Sequence, residues 1–164
     1  MKRAAAAILA MALALCLAAC SGPGVPSDTD PVALGESLTA KAEALPDITV
    51  VSSENEYATG AELFPYLSDM DYAKVAGFYL AYSTAGSAEE IAVISVKDPA
   101  DLAEARASLE AHLENRLGIF RTYDPSQAAM VEDAKIVAMG DTAALFICAN
   151  AEALSSAFRE AMGQ

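Results

Sequence analysis

Histidine is almost absent: His112 is the only one in 164 residues. A single imidazole cannot supply the paired histidines of the common catalytic zinc sites, so that class of enzyme is excluded. Tryptophan is missing altogether, which argues against an aromatic platform for sugars. Bases are scarce too, with 10 Lys and Arg against 23 Asp and Glu and a formal charge of -13. Such a surface repels phosphate backbones and anionic headgroups, so nucleic acid is not an expected partner. The chain contains no G-x-S-x-G elbow, no S-x-x-K and no G-x-x-x-x-G-K-[ST], which removes the readily recognised serine hydrolases and P-loop enzymes. Cysteine occurs three times, and two of the three lie in the N-terminal apolar stretch LALCLAAC, residues 13–20.

That stretch is the most informative in the chain. Lys2 and Arg3 form a positive start, Ala4 to Leu15 form an apolar run, and Ala18 and Ala19 precede Cys20. The order is that of a secretory signal, and its apolar part falls short of the roughly 20 residues needed to span a bilayer. Leu17-Ala18-Ala19-Cys20 resembles the bacterial lipobox, whose cysteine becomes the first mature residue and carries diacylglycerol. Residues 1–19 are thus expected to be a lipoprotein signal peptide, with Cys16 discarded and Cys20 lipidated. Acyl chains contribute about 0.8 kcal/mol per buried CH₂, so two or three of them anchor the protein to a membrane. Loss of Lys2 and Arg3 leaves 8 bases and a formal charge of -15. Residues 21–31, SGPGVPSDTDP, hold three prolines and two glycines and read as a flexible tether of about 17–20 Å. With its lipidated cysteine this segment spans 20–31, and 32–164 form a single domain. Cys148 is then the only thiol of the mature chain, so the domain must stand on its core without an internal disulfide.

Within the domain, Asp30-Pro31 is a cap followed by a favourable first helical residue, and Leu34, Leu38, Ala42 and Leu45 recur at helical spacing up to Pro46. Residues 48–51 read as a short strand, 52–60 as a polar loop and 61–68 as a short helix. Residues 75–83 and 91–96 are β-rich and form a hairpin about Gly86. Asp98-Pro99 starts a long helix striped by Leu102, Ala105, Leu109, Leu113 and Leu117 and ending at Gly118. Residues 119–125 read as a connection and 126–131 as a short helix. Residues 135–139 and 143–149 read as a second hairpin about Gly140-Asp141. Asn150 caps a last helix with Leu154, Ala157, Phe158 and Ala161 inward. Residues 92–105 lie over 144–157 without a gap, an echo that suggests a repeated hairpin–helix unit. The expected fold is α+β, two-layer, with an antiparallel sheet of about four to five strands and helices on one face.

The segments EEIAVISVKD, FRTYDP and VEDAKIVAMGDTAALFICAN carry a resemblance to a family of small clostridial lipoproteins with a domain of unknown function. The tyrosine–proline pair of that family is Tyr123 and Pro125 here, while Asp141-Thr142 replaces its usual asparagine and aromatic. The resemblance spans roughly residues 33–162. It implies the fold and the membrane location and supplies no activity.

Candidate functional residues are few. His112 sits at the edge of the leucine stripe, a boundary position with no visible orienting partner for general-base work. Cys148 lies in an apolar strand pattern and reads as a small hydrophobe. Asp69-Met70-Asp71 lacks the glycine and distal glutamate of a calcium loop and reads as a turn. Glu89-Glu90 and Glu132-Asp133 read as charges guarding sheet edges. The expected interaction surface is Arg121, Tyr123 and Asp124 on the connection after the long helix, with Tyr57 in the polar loop as a second patch. No cofactor is expected. The function expected is a lipid-anchored, extracytoplasmic, non-enzymatic module that binds an envelope protein or a small ligand. The alternatives are an extracytoplasmic hydrolase using carboxylates or His112, and an acidic cation-binding protein.

Overall fold

A computed structural model describes residues 28–163. The leader, Cys16, Cys20 and most of the tether lie outside the described residues. Asp30 opens the first helix as expected: its Oδ1 accepts from the Val32 N–H at 2.9 Å, and Pro31 takes the first helical position of α1 (Pro31–Thr39). The helix stops six residues before Leu45, because residues 41–43 are tied elsewhere. Asn150 donates to the Lys41 carbonyl at 3.0 Å and accepts from the Glu43 N–H at 3.0 Å. Strand β1 (Ile48–Ser52) follows, then the short α2 (Gly60–Leu63), which passes into a 3₁₀ turn over Phe64–Tyr66 at Pro65. The Glu62 carboxylate accepts from both the N–H and the hydroxyl of Thr59, each at 2.9 Å, which holds its pKa below the usual glutamate value. Asp71 caps the 3₁₀ turn before β2, and Asp69-Met70-Asp71 is an irregular segment leading into it, with Met70 buried between the two exposed acids.

Strands β2 (Val75–Ser83) and β3 (Glu90–Val96) form the first hairpin, and Gly86 at its turn takes a positive φ of 78°. Asp98 caps a 3₁₀ turn that feeds α3 (Leu102–Tyr123), and α4 (Pro125–Glu132) follows at once. Strands β4 (Lys135–Met139) and β5 (Thr142–Ile147) close the second hairpin through Gly140, whose φ is 64°. The chain ends in α5 (Ala151–Ala161). The five strands form one antiparallel sheet in the order β1-β2-β3-β5-β4. The α+β class and the antiparallel sheet are therefore as the sequence indicated.

Further details differ from expectation. Helices cover both faces of the sheet rather than one. Phe78, Leu80, Ala92, Ile94, Leu145 and Ile147 pack in one core with Ala105, Leu109 and Phe120 of α3 and Val131 of α4. Tyr79, Ile91, Val93 and Phe146, from the opposite face, pack with Leu34 and Leu38 of α1 and Leu154 and Phe158 of α5. The physical cause is visible in the strands. β3 and β5 are buried at every position, EIAVISV and TAALFI, whereas a sheet with one wet face alternates apolar with polar. The two hairpin–helix units also send their helices to opposite faces: Ala92 and Ala105 belong to the first core, the aligned Ala144 and Ala157 to the second. Finally, Asn150 stands at the start of α5 but its side chain makes no cap bond there, being committed to residues 41 and 43.

Candidate functional site

The connection expected at 119–125 is helical up to Tyr123. Gly118 does not stop α3, since it faces open space and Phe120 beyond it is buried in the core. The stop comes at Asp124, where the following Pro125 disfavours helical backbone. Arg121, Tyr123 and Asp124 thus lie at a helix junction rather than on a loop. Arg121 pairs with Glu132 at 2.6 Å, and Asp124 Oδ1 caps α4 by accepting from the Ser126 N–H at 3.0 Å and its hydroxyl at 2.6 Å. Tyr123 is 73% exposed and Tyr57 93% exposed. No hydrogen bond, ion pair or ring contact joins Tyr57 to the other three among the described residues.

The structure brings together a different set, around His112. β3 is a central strand, so Glu90 at its start is not an edge charge; it is only 3% exposed. Its carboxylate is gripped by two residues one turn apart on α3. His112 Nε2 lies 2.7 Å from Glu90 Oε1, and Arg116 Nε lies 3.2 Å from Oε2 as an ion pair without hydrogen-bond alignment. Arg116 also donates to the Ala88 carbonyl at 3.0 Å, and its guanidinium rests 5.0 Å above the Phe120 ring. The Ala88 N–H is in turn taken by Gln127 of α4 at 3.2 Å. A carboxylate this deep is tolerated only when paired, and both of its oxygens are engaged. When Nε2 carries the imidazole proton and donates it to Glu90, Nδ1 is left as an acceptor. The partner that sequence reasoning missed is Glu90, and nothing local in EEIAV distinguishes it from a solvated charge.

His112 also lines a groove of about 690 Å³ between α3 and residues 65–70. One wall is Tyr66, 64% exposed, with Ser68 and Met70. The other is the α3 face on which Ala107, Ser108, Ala111, His112 and Asn115 recur at helical spacing. The small residues Ala107 and Ala111 leave the space, and the hydroxyls of Ser68 and Ser108 hydrogen-bond to each other across it. The Met70 N–H donates to Ser68 Oγ at 3.0 Å, which fixes that hydroxyl. Glu104 at one end is already held by Lys74 at 2.5 Å. The groove therefore offers hydroxyl, imidazole and carboxamide groups beside one exposed aromatic ring. Mixed linings of this kind hold a polar ligand in a defined orientation.

Cys148 is buried, and its thiol contacts Asn150 Oδ1 at 3.5 Å. Burial pushes its pKa above the ordinary thiol value, as fits a packing residue. Among the described residues no group of three or more His, Cys, Asp or Glu is placed to hold a metal ion, and no helix is long and apolar enough to cross a membrane.

No curated protein and no solved structure matches this chain. One family model does, over residues 50–148, which run from β1 to the end of β5 and include the whole Glu90–His112–Arg116 cluster and both groove walls. The chain belongs to that family, described as a domain of unknown function, DUF4358.

Proposed function

We propose that the protein is an extracytoplasmic lipoprotein, held to the outer face of a membrane by lipid on Cys20, whose domain binds a polar envelope ligand without transforming it. The groove between α3 and residues 65–70 carries this reading, because its hydrogen-bonding groups are preset: Ser68 by Met70, His112 by Glu90. It is favoured over the surface at Arg121 and Asp124, whose side chains are already engaged within the fold. The leader sequence and the tether support the location. A thermal-shift screen with soluble cell-wall fragments tests the binding half. A fragment that raises the melting temperature of the native protein but not of Ala111→Trp, which fills the groove, is the expected result. Mass spectrometry of the mature N-terminal peptide tests the anchor, and an unmodified Cys20 thiol overturns it.

One observation favours a second reading, an extracytoplasmic hydrolase. Glu90 supplies the orienting carboxylate that His112 needs to act as a general base, and Ser68 and Ser108 stand in the same groove. Turnover of an ester or amide library that disappears in His112→Ala while folding is retained would establish it in place of the binding module.

A further inference from the structure

The free edge of β4 carries a feature independent of the groove. The Asp141 carbonyl accepts from the Val96 N–H of β3 at 2.8 Å. Main-chain groups alternate along a strand, so Thr142, Ala144 and Phe146 turn theirs to β4, opposite Met139, Val137 and Lys135. Ile136 and Ala138 consequently direct their N–H and C=O groups away from the sheet. Neither has a backbone partner outside the β4–β5 ladder among the described residues.

A hollow of about 160 Å³ runs along this edge. It touches the four consecutive residues 136–139, whose side chains alternate between faces, so it runs along the main chain of the edge and reaches Phe158 on the α5 face. Arg106 of α3 borders it from one face and Arg159 of α5 from the other. Lys135 opens the strand. Three of the chain's ten bases thus gather on one edge of a protein with a net charge of -13. Glu110 holds Arg106 through Nε at 2.9 Å and leaves the terminal amino groups of the guanidinium free, while Arg159 and Lys135 form no ion pair among the described residues. Asp133 sits before Lys135 at the end of α4.

We propose that the β4 edge is a strand-addition site for an extended acidic segment of a partner protein. The added strand hydrogen-bonds to Ile136 and Ala138, and two successive carboxylates, which point to opposite faces, meet Arg106 and Arg159. A second copy of this chain is a poor occupant, because β4 against β4 brings the same cations together.

The test uses the full chain, ¹⁵N-labelled, titrated with a capped hexapeptide alternating valine and threonine around a central Glu-Asp pair. A control peptide carries Lys-Lys at the centre. The acidic peptide is expected to raise hydrogen-exchange protection at the Ile136 and Ala138 amides. Arg106→Glu and Arg159→Glu, both at exposed positions, are each expected to weaken binding about tenfold. The double reversal is expected to prefer the Lys-Lys peptide and to stay folded, its thermal midpoint lowered only by the lost Arg106–Glu110 pair and the reversed charge in the last turn of α5. Equal binding of the two peptides, protection elsewhere in the molecule, self-association through β4 without peptide, or no binding at millimolar peptide each overturns the proposal.

Discussion

Two helical glycines should respond to alanine with opposite signs, and the contrast isolates one packing contact. Gly35 lies on the buried face of α1, directly over Tyr79 of β2. A Cβ built there would stand 2.3 Å from both Cγ and Cδ1 of the Tyr79 ring and 2.7 Å from its Cβ. Ordinary carbon contacts sit at about 3.5–4.0 Å, so helix and strand would have to part by roughly 1 Å. The ring cannot swing aside, because the atoms struck are its stem and its hydroxyl is bonded to Thr39 Oγ1 at 3.1 Å. Overpacking of this kind costs about 1–3 kcal/mol, and the better helix propensity of alanine returns about 1 kcal/mol. Gly35→Ala should therefore lose up to about 2 kcal/mol. Gly118 is also helical, but nothing lies within 4 Å of its added Cβ. Gly118→Ala should gain about 0.5–1 kcal/mol from propensity alone. Urea unfolding followed by far-UV circular dichroism reads both as shifts in midpoint of about 0.3–1 M at constant slope. If the two variants move in the same direction, the close approach of α1 to Tyr79 is wrong.

Glu90→Ala leaves His112 and Arg116, both only partly buried, without their carboxylate and should cost about 1–3 kcal/mol by the same unfolding assay. A loss below about 1 kcal/mol would mean the site is wet rather than buried. The triple replacement Glu90→Leu, His112→Leu, Arg116→Met should instead come close to the native stability, since the charges and their desolvation cost leave together. Asp124→Ala removes the cap of α4 and should cost about 0.5–2 kcal/mol, measured by thermal unfolding, with no such loss expected in Asp124→Asn. Cys148 has its pKa raised by burial, so at pH 8 the fraction of reactive thiolate is smaller than in the unfolded chain. Its labelling by a maleimide, mapped by mass spectrometry, should be slow in buffer and fast in urea, and equal rates would place the thiol at the surface.

The parts of the fold that local chemistry dictates were legible in the sequence. Asp30-Pro31, Asp98-Pro99 and the glycine turns at Gly86 and Gly140 mark starts and hairpins through short-range geometry, and the structure has each where expected. The end of α3 was not legible, because Gly118 reads as a stop only if nothing beyond it packs, and Phe120 does. The second helical layer was implied by the unbroken apolar runs of β3 and β5, a signal obscured by reading the strands in terms of hairpins alone. The groove depends on small residues, Ala107 and Ala111, standing opposite a segment some forty positions earlier in the chain. Pairing of Glu90 with His112 likewise spans 22 positions. Neither leaves a trace at short range, so only the tertiary fold could disclose them.

The Glu90–His112–Arg116 cluster matters most for where α3 sits. Its apolar stripe, Leu102, Ala105, Leu109, Leu113 and Leu117, repeats with nearly even spacing. Apolar burial is non-directional, so a slide of one turn, about 5.4 Å, would set one leucine where another had been at modest cost. The Glu90 carboxylate removes that freedom. It accepts His112 and Arg116 at one register only, and the Arg116 bond to the Ala88 carbonyl fixes the same register a second time. Ser108 and Asn115 are rigidly phased to His112 on the same helix, so the register that satisfies Glu90 also aims them into the groove. The triple apolar replacement separates the two roles of the cluster. Near-native stability accompanied by doubled amide resonances along α3 would show that the charges specify position more than they stabilise it. A single sharp set would show that side-chain shape alone sets the register, and the groove would then owe nothing to Glu90.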